Sequence, residues 1–266
     1  MLTEAQRSAA LARLQPGIDR ARQFTGWDFA GMNHPVLLEP PPPWDYEGLV
    51  RRYGRQASSA LDLGTGGGEF VVSVRDDLPT LTIATEEWHV NAPIAYRNLR
   101  PLRVDSVWCR SLFLPFRHDT FDLVADRHEE LEPAEIARVL RPGGAVVTQQ
   151  IGPENWCELQ RYFGGATAGN RGESRLTHFG DIRGQYTLGF ESAGLRVGRS
   201  EQHDYKVAYA SLSDFVFMLL ITPWTIPDLD VGRDLDLLLA LEDDYSTEDG
   251  LVLTWSRFLI IAEKPA

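Results

Sequence analysis

The chain has 266 residues, 43% of them hydrophobic and 10% aromatic, with a formal net charge of −12 at pH 7. That length and composition bury a real core, as one large α/β domain with additions or as two small domains. The excess of acid disfavours nucleic acid, whose phosphates are held mainly by Lys and Arg. Two cysteines, Cys109 and Cys157, leave no disulfide framework and point to a reducing compartment.

At the N-terminus, Thr3 followed by Gln6 reads as a capping box and Pro16-Gly17 as a stop, which predicts one short amphipathic helix and no signal peptide. The proline run EPPPPWDY separates this segment from a helix, WDYEGLVRRYG, ending at Gly54. Strand ASSALDL, helix GGEFVVSVRDDL, strand LTIAT, helix HVNAPIAYRNLR, strand RVDSVW, strand FDLVAD and helix PAEIARVL follow in turn. The stop Pro142-Gly143-Gly144 precedes strand AVVTQQ. Alternation of short apolar runs with helical ones predicts βαβ units and a mostly parallel, doubly wound sheet covered on both faces. Later, FESAGLRVGRSEQ closes a helix at Gly194 and opens a strand, and LVLTWSRFLIIAEK is long enough for a last one. The longest apolar run, Phe215 to Ile221, is too short to span a bilayer. It belongs to SLSDFVFMLLITPW, read as a packed helix or as a substrate lid. A soluble cytoplasmic protein without membrane contact, monomeric or homodimeric, is expected. From Ser213 to Gly250 there are ten acids against one base, Arg233.

The stretch LDLGTGGGEF, residues 61 to 70, is a strand ending near an acid, then four glycines within five residues, then a helix start. A triphosphate loop needs Lys and Ser or Thr after its last glycine, where Glu69-Phe70 stands. A dinucleotide fingerprint needs G-x-G-x-x-G, and here the position that should be small is Glu69. A carboxylate there also repels a pyrophosphate at the helix N-terminus. S-adenosylmethionine carries no phosphate but a sulfonium and an ammonium, which suit Asp62 and Glu69.

The same stretch resembles the first motif of class I S-adenosylmethionine-dependent methyltransferases, with Asp62, Gly64, Gly66 and Gly68 in the matching places and Thr65 within the turn. LPFRHDTFDLV and EIARVLRPGGAVV resemble later segments of that family, strongly over residues 57–150 and weakly beyond. The resemblance implies an α/β, doubly wound, mostly parallel seven-stranded sheet with an N-terminal helical segment and a C-terminal helical insertion. It implies S-adenosyl-L-methionine as cofactor and Glu86, 24 residues after Asp62, as the acid for the ribose hydroxyls. The family commonly has an acid for the adenine amino group where Arg110 stands. Adenine then falls to the backbone at Ser111 and Leu112 and to packing against Glu86-Glu87-Trp88, or Arg110 turns outward. The expected organisation is an N-terminal helical or lid segment over residues 1–43 and a methyltransferase domain over residues 44–266. Its substrate side is covered by residues from about 203 to 250.

Methyl transfer from a sulfonium is an in-line displacement, so alignment and water exclusion do much of the work. A base is required only for a hydroxyl or a protonated amine. The strand FDLVAD runs out into RHEEL, which places Arg127, His128 and Glu129 near the reaction, Arg127 beside the cofactor and His128 as candidate base. The bland role for His128 is a helix cap or a backbone contact. Glu129 and Glu130 either bind a cationic substrate or are solvated acids at a helix start. Gln149 and Gln150 orient a substrate or satisfy loop backbone, Trp44 and Tyr46 wall the cofactor pocket or merely pack, and Cys109 reads as core. No histidine spacing matches a metal site, so none is expected. The leading expectation is methylation of an O or N atom of a small molecule, with an amine slightly favoured by the acidic run. The alternatives are an RNA or protein methyltransferase, and a non-catalytic protein that keeps the cofactor-binding fold.

Overall fold

A computed structural model describes residues 2–25, 29, 32–164, 176 and 180–266. In chain order the elements are α1 (Glu4–Gln23), β1 (Val36–Leu37), α2 (Tyr46–Gly54), β2 (Ser59–Leu63), α3 (Glu69–Val74), β3 (Leu81–Glu86), α4 (Ala92–Leu99), β4 (Asp105–Trp108) and β5 (Phe121–Arg127). Then come α5 (Pro133–Val139), β6 (Leu140–Ile151), α6 (Gln160–Phe163), α7 (Ile182–Ser192), β7 (Arg196–Tyr209), α8 (Leu212–Ile221), α9 (Leu235–Tyr245), β8 (Ser246–Thr247) and β9 (Gly250–Glu263).

One sheet runs β1-β7-β9-β6-β5-β2-β3-β4, with β8 on β9. The strands from β6 to β4 are parallel, while β9 is antiparallel to both β6 and β7. Seven of the strands form the expected doubly wound sheet, and β1 and β8 are two-residue additions on β7 and β9. The chain leaves β2 toward β3 on one side and enters β5 on the other. A crevice therefore opens beyond the carboxyl ends of β2 and β5, where such sheets take ligands.

Each face buries its own cluster. Val50 of α2 packs with Ala60, Ala125, Val147 and Leu259 on one face, and Ile136 of α5 and Phe190 of α7 pack with Leu61, Val124, Val146 and Phe258 on the other. A third cluster joins Leu14 of α1 to Phe215 and Leu219 of α8, Leu238 of α9, and Val207 and Leu253 of the long β7–β9 ribbon. Each of the Val, Leu, Ile and Phe side chains contributes about 1.5–3 kcal/mol when fully buried. The stretch from Ser211 to Trp224 is thus a packed helix over most of its length. Among the described residues no helix is long and apolar enough to cross a membrane.

Two local expectations are corrected. The capping box forms as read, but Pro16-Gly17 does not stop α1, which continues to Gln23 with Pro16 inside it. Ser213 of α8 compensates: its Oγ accepts from the Gly17 amide at 2.9 Å and donates to the Leu14 carbonyl at 3.3 Å. The Pro142-Gly143-Gly144 stop is likewise absorbed into β6, where the register shifts between Phe121 and Leu123 and Gly143 adopts φ +81°. Gly143 N donates to Lys264 O and Lys264 N to Gly144 O, both at 2.8 Å, so the bulge keeps its ladder bonds.

The α1–α8 contact leaves no room at Gly17, where a Cβ would lie 2.0 Å from the Ser213 carbonyl oxygen. Alanine gains about 1 kcal/mol of helix propensity over glycine. A backbone clash outweighs that, since overpacking typically costs about 1–3 kcal/mol. Gly17→Ala is therefore expected to lower the urea midpoint, and an unchanged or raised midpoint would contradict this packing.

Candidate active site

The glycine turn follows β2 because three of its residues adopt left-handed conformations that only glycine takes without cost: Gly64 (φ +59°), Gly66 (φ +62°) and Gly68 (φ +89°). The turn is also crowded. A Cβ at Gly64 would lie 2.5 Å from Glu129 Cβ, and one at Gly68 2.8 Å from Leu99 Cγ. Thr65 N donates to Thr85 O at 2.8 Å, and Asn98 Nδ2 donates to Gly67 O at 2.9 Å.

Glu86 closes β3 and ties the turn to the next loop. One carboxylate oxygen accepts from Gly66 N and the other from Trp88 N, each at 2.7 Å. Asp62 and Ser111 are buried, Leu112 and Glu129 are half-buried, and Glu69 and Glu87 are exposed. Arg110 turns outward and pairs with Glu87 at 3.5 Å. Cys109 is half-buried rather than core, its thiol pushed up to about 11 by burial and by Glu129 and Glu87.

Carboxyl groups crowd this crevice. Burial raises Asp62 to about 7, opposed by the Thr65 hydroxyl and by Arg127. Burial, then Glu86 and Glu87, raises Glu129 to about 7. Asp126, fully buried, is pushed well above the ordinary range by burial, although Thr148 Oγ1 (2.9 Å) and Gln150 Nε2 (2.6 Å) donate to it. Glu129 is therefore not a solvated acid at a helix start: its side chain folds over Gly64 beside Ser111, whereas Glu130 is exposed. Thr65 Oγ1 is buried with no partner at hydrogen-bonding geometry. A cradle a Cβ would fill and acids that ionise beside a cation fit S-adenosylmethionine. A pyrophosphate would meet four carboxyls.

The other side of the crevice lies at the ends of β5 and β6. Arg127 is exposed, with its guanidinium 4.8 Å from the Phe70 ring. His128 has φ +71° and its amide donates to Gln149 O at 2.9 Å, while among the described residues its side chain makes no hydrogen bond and caps no helix. The residue is exposed, but desolvation by the surrounding protein, then the charges of Arg257 and Arg127, hold the imidazole well below the ordinary histidine value. Gln149 Oε1 accepts from Trp44 Nε1 at 2.8 Å, and Gln150 Nε2 donates to Glu129 O at 2.8 Å, so both amides support the loops. Trp44 and Tyr46 are buried, Tyr46 against Phe70 and under the influence of Asp62 and Asp126.

The motif pattern missed Arg257. The available signal was one cation inside the otherwise apolar strand LVLTWSRFLII, too far along the chain to be tied to the glycine turn.

No protein-family model matches this chain, and no curated protein sequence matches it. Solved structures do resemble it. A protein from Bacillus halodurans C-125, provisionally assigned as a methyltransferase, superposes with TM-score 0.60 at 15% identity, over 84% of this chain and 99% of its own. The cyclase SpnF gives 0.53 at 19% identity over 95% and 93%. A geranyl diphosphate C-methyltransferase from Streptomyces coelicolor A3(2), solved with S-adenosylhomocysteine, gives 0.50 at 16% identity over 82% and 74%. These likenesses establish the fold: it is the Rossmann-like fold of class I S-adenosylmethionine-dependent methyltransferases.

Proposed function

We propose that this chain transfers the methyl group of S-adenosylmethionine to an O or N atom of a small molecule. The observation that carries the reading is the glycine turn itself, tied down by Glu86 and overlaid by buried carboxyls where a phosphate-binding turn would present unopposed amides. In this reading Asp62, Thr65, Glu69 and the glycines hold the methionine part, Glu86 and Glu87 the ribose, and Ser111 and Leu112 the adenine, with Arg127 alongside. The N-terminal residues 1–43 and the segment from about 203 to 250 cover the acceptor.

The cofactor supplies an electrophilic methyl group on a sulfonium. The protein aligns the acceptor, excludes water and removes a proton. His128 accepts that proton: its depressed basicity keeps the imidazole neutral at pH 7, with a free lone pair and no competing hydrogen bond. His128→Ala is expected to lower kcat by about 10²–10⁴-fold, with affinity for S-adenosylhomocysteine unchanged. An unchanged kcat would remove His128 from the chemistry.

A small acceptor is preferred to RNA because the acidic run repels phosphate. Part of that run also holds α1 in place, with Arg13 paired to Glu242 at 2.5 Å and Arg20 to Asp214 at 2.6 Å. The resemblance to a cyclase supports keeping a second reading, a cofactor-binding fold without methyl transfer. Incubation with methyl-labelled S-adenosylmethionine and fractionated extract separates the readings. Label in the small-molecule fraction supports the first, label in RNA or protein moves the acceptor class, and cofactor binding without transfer supports the second.

A further inference from the structure

Arg257 is partly shielded in β9, in register with Ile151 at the end of β6 and His203 in β7. It shares a sheet face with Leu259, which packs in the cluster containing Trp44. One guanidinium nitrogen is committed, donating to Asn155 Oδ1 at 2.8 Å and to the Ser256 carbonyl at 2.7 Å. The guanidinium carbon lies 4.8 Å from the centre of the Trp255 ring, which meets Tyr205 edge-on at 6.0 Å.

Among the described residues no carboxylate pairs with Arg257, and its Nε and second terminal nitrogen make no hydrogen bond. Arg20, Arg51 and Arg138, also partly shielded, each hold a carboxylate at 2.6–2.7 Å, whereas Arg75 and Arg183 donate to carbonyl and hydroxyl oxygens. Burial pushes the Arg257 guanidinium below its ordinary value, with only the Tyr205 and Tyr209 phenols acting the other way. A cation kept in such a place by a built hydrogen bond and a stacking ring, with no counter-ion among the described residues, is set for an anion from outside. Its free edge offers two parallel N–H donors, the geometry that matches a carboxylate. Its register partner Ile151 lies two residues past Gln149, whose carbonyl accepts from the His128 amide at 2.9 Å, so Arg257 stands beside the β5–β6 end of the crevice.

Resting on the methyltransferase reading above, we propose that the acceptor carries a carboxylate, held by the free edge of Arg257, with its apolar body against the half-buried Trp255. The carboxylate is a handle that turns the reacting O or N atom toward His128. This replaces the amine expected from the acidic run, part of whose charge is taken up by pairing with α1.

The test is calorimetric titration of phenylacetate, indole-3-acetate and octanoate into the protein saturated with S-adenosylhomocysteine. Phenylacetamide and phenyl phosphate serve as comparators. At least one carboxylate should bind, about tenfold or more tighter than a neutral comparator. Arg257→Gln should erase that preference while S-adenosylhomocysteine affinity and Tm stay as in wild type, and Arg257→Lys should keep part of it. No carboxylate preference, an equal preference in Arg257→Gln, or a clear preference for phenyl phosphate overturns the assignment. If Arg257→Gln does not fold, the amide comparison and Arg257→Lys still decide. Should S-adenosylhomocysteine fail to bind while ligand-free protein shows the Arg257-dependent preference, the methyltransferase reading falls and the carboxylate site stands.

Discussion

Replacing Glu86 with alanine is expected to weaken S-adenosylhomocysteine binding at least a hundredfold. The Glu86 carboxylate accepts two backbone amides at 2.7 Å, one from the glycine turn and one from the loop after β3. Hydrogen bonds to a charged group are each worth about 1.5–3 kcal/mol, and about 1.4 kcal/mol is a tenfold change in affinity. Losing both frees the Gly66 and Trp88 amides and unties the two walls that the cofactor has to bridge. Glu86→Gln keeps one acceptor oxygen and should fall between alanine and wild type. Titration calorimetry reads all three proteins. Wild-type affinity in Glu86→Ala would mean that the ligand does not use this turn.

Binding of S-adenosylmethionine should strengthen as pH rises from 6 to 8. Asp62 and Glu129 sit at about 7 in the free protein, chiefly through burial. A cation in the crevice favours their ionised forms, so each carboxyl that must ionise costs about tenfold in affinity per pH unit below its own value. One such group gives about tenfold between pH 6 and 8, and two give about a hundredfold. The free protein should show the opposite trend. These acids bind protons more tightly folded than unfolded, so the stability they contribute is complete below about pH 4 and is lost as pH rises through about 7. Asp62→Asn should flatten both profiles. Affinity that is level, or that falls with pH, would show that the crevice does not receive a cation.

The legible part of this protein was the part written locally. The turn from Gly64 to Gly68 announces itself because three of its positions take left-handed conformations that glycine adopts without cost, and strands β2, β3, β5 and β6 show as apolar runs because both faces of the sheet are covered. Where a distant residue intervenes, local signals mislead. Pro16-Gly17 reads as a stop until Ser213, almost two hundred positions on, accepts from the Gly17 amide and donates to the Leu14 carbonyl. Pro142-Gly143-Gly144 becomes a bulge because Lys264 returns on β9 to pair with it.

The candidate site divides the same way. Asp62, Glu86 and His128 fall at strand ends that the alternation marks, so their place was readable although their partners were not. The inward fold of Glu129 depends on Gly64 and Ser111 lying opposite it. Arg257 acquires its setting only through Asn155, whose approach depends on the pairing of β6 with β9.

The central claim is that the glycine turn holds S-adenosylmethionine rather than a phosphate-bearing nucleotide. Calorimetric titration of the wild-type protein with S-adenosylhomocysteine and, separately, with NAD tests it most directly. Saturable one-to-one binding of S-adenosylhomocysteine with none of NAD is the predicted result. Binding of NAD alone, or of neither, would contradict it.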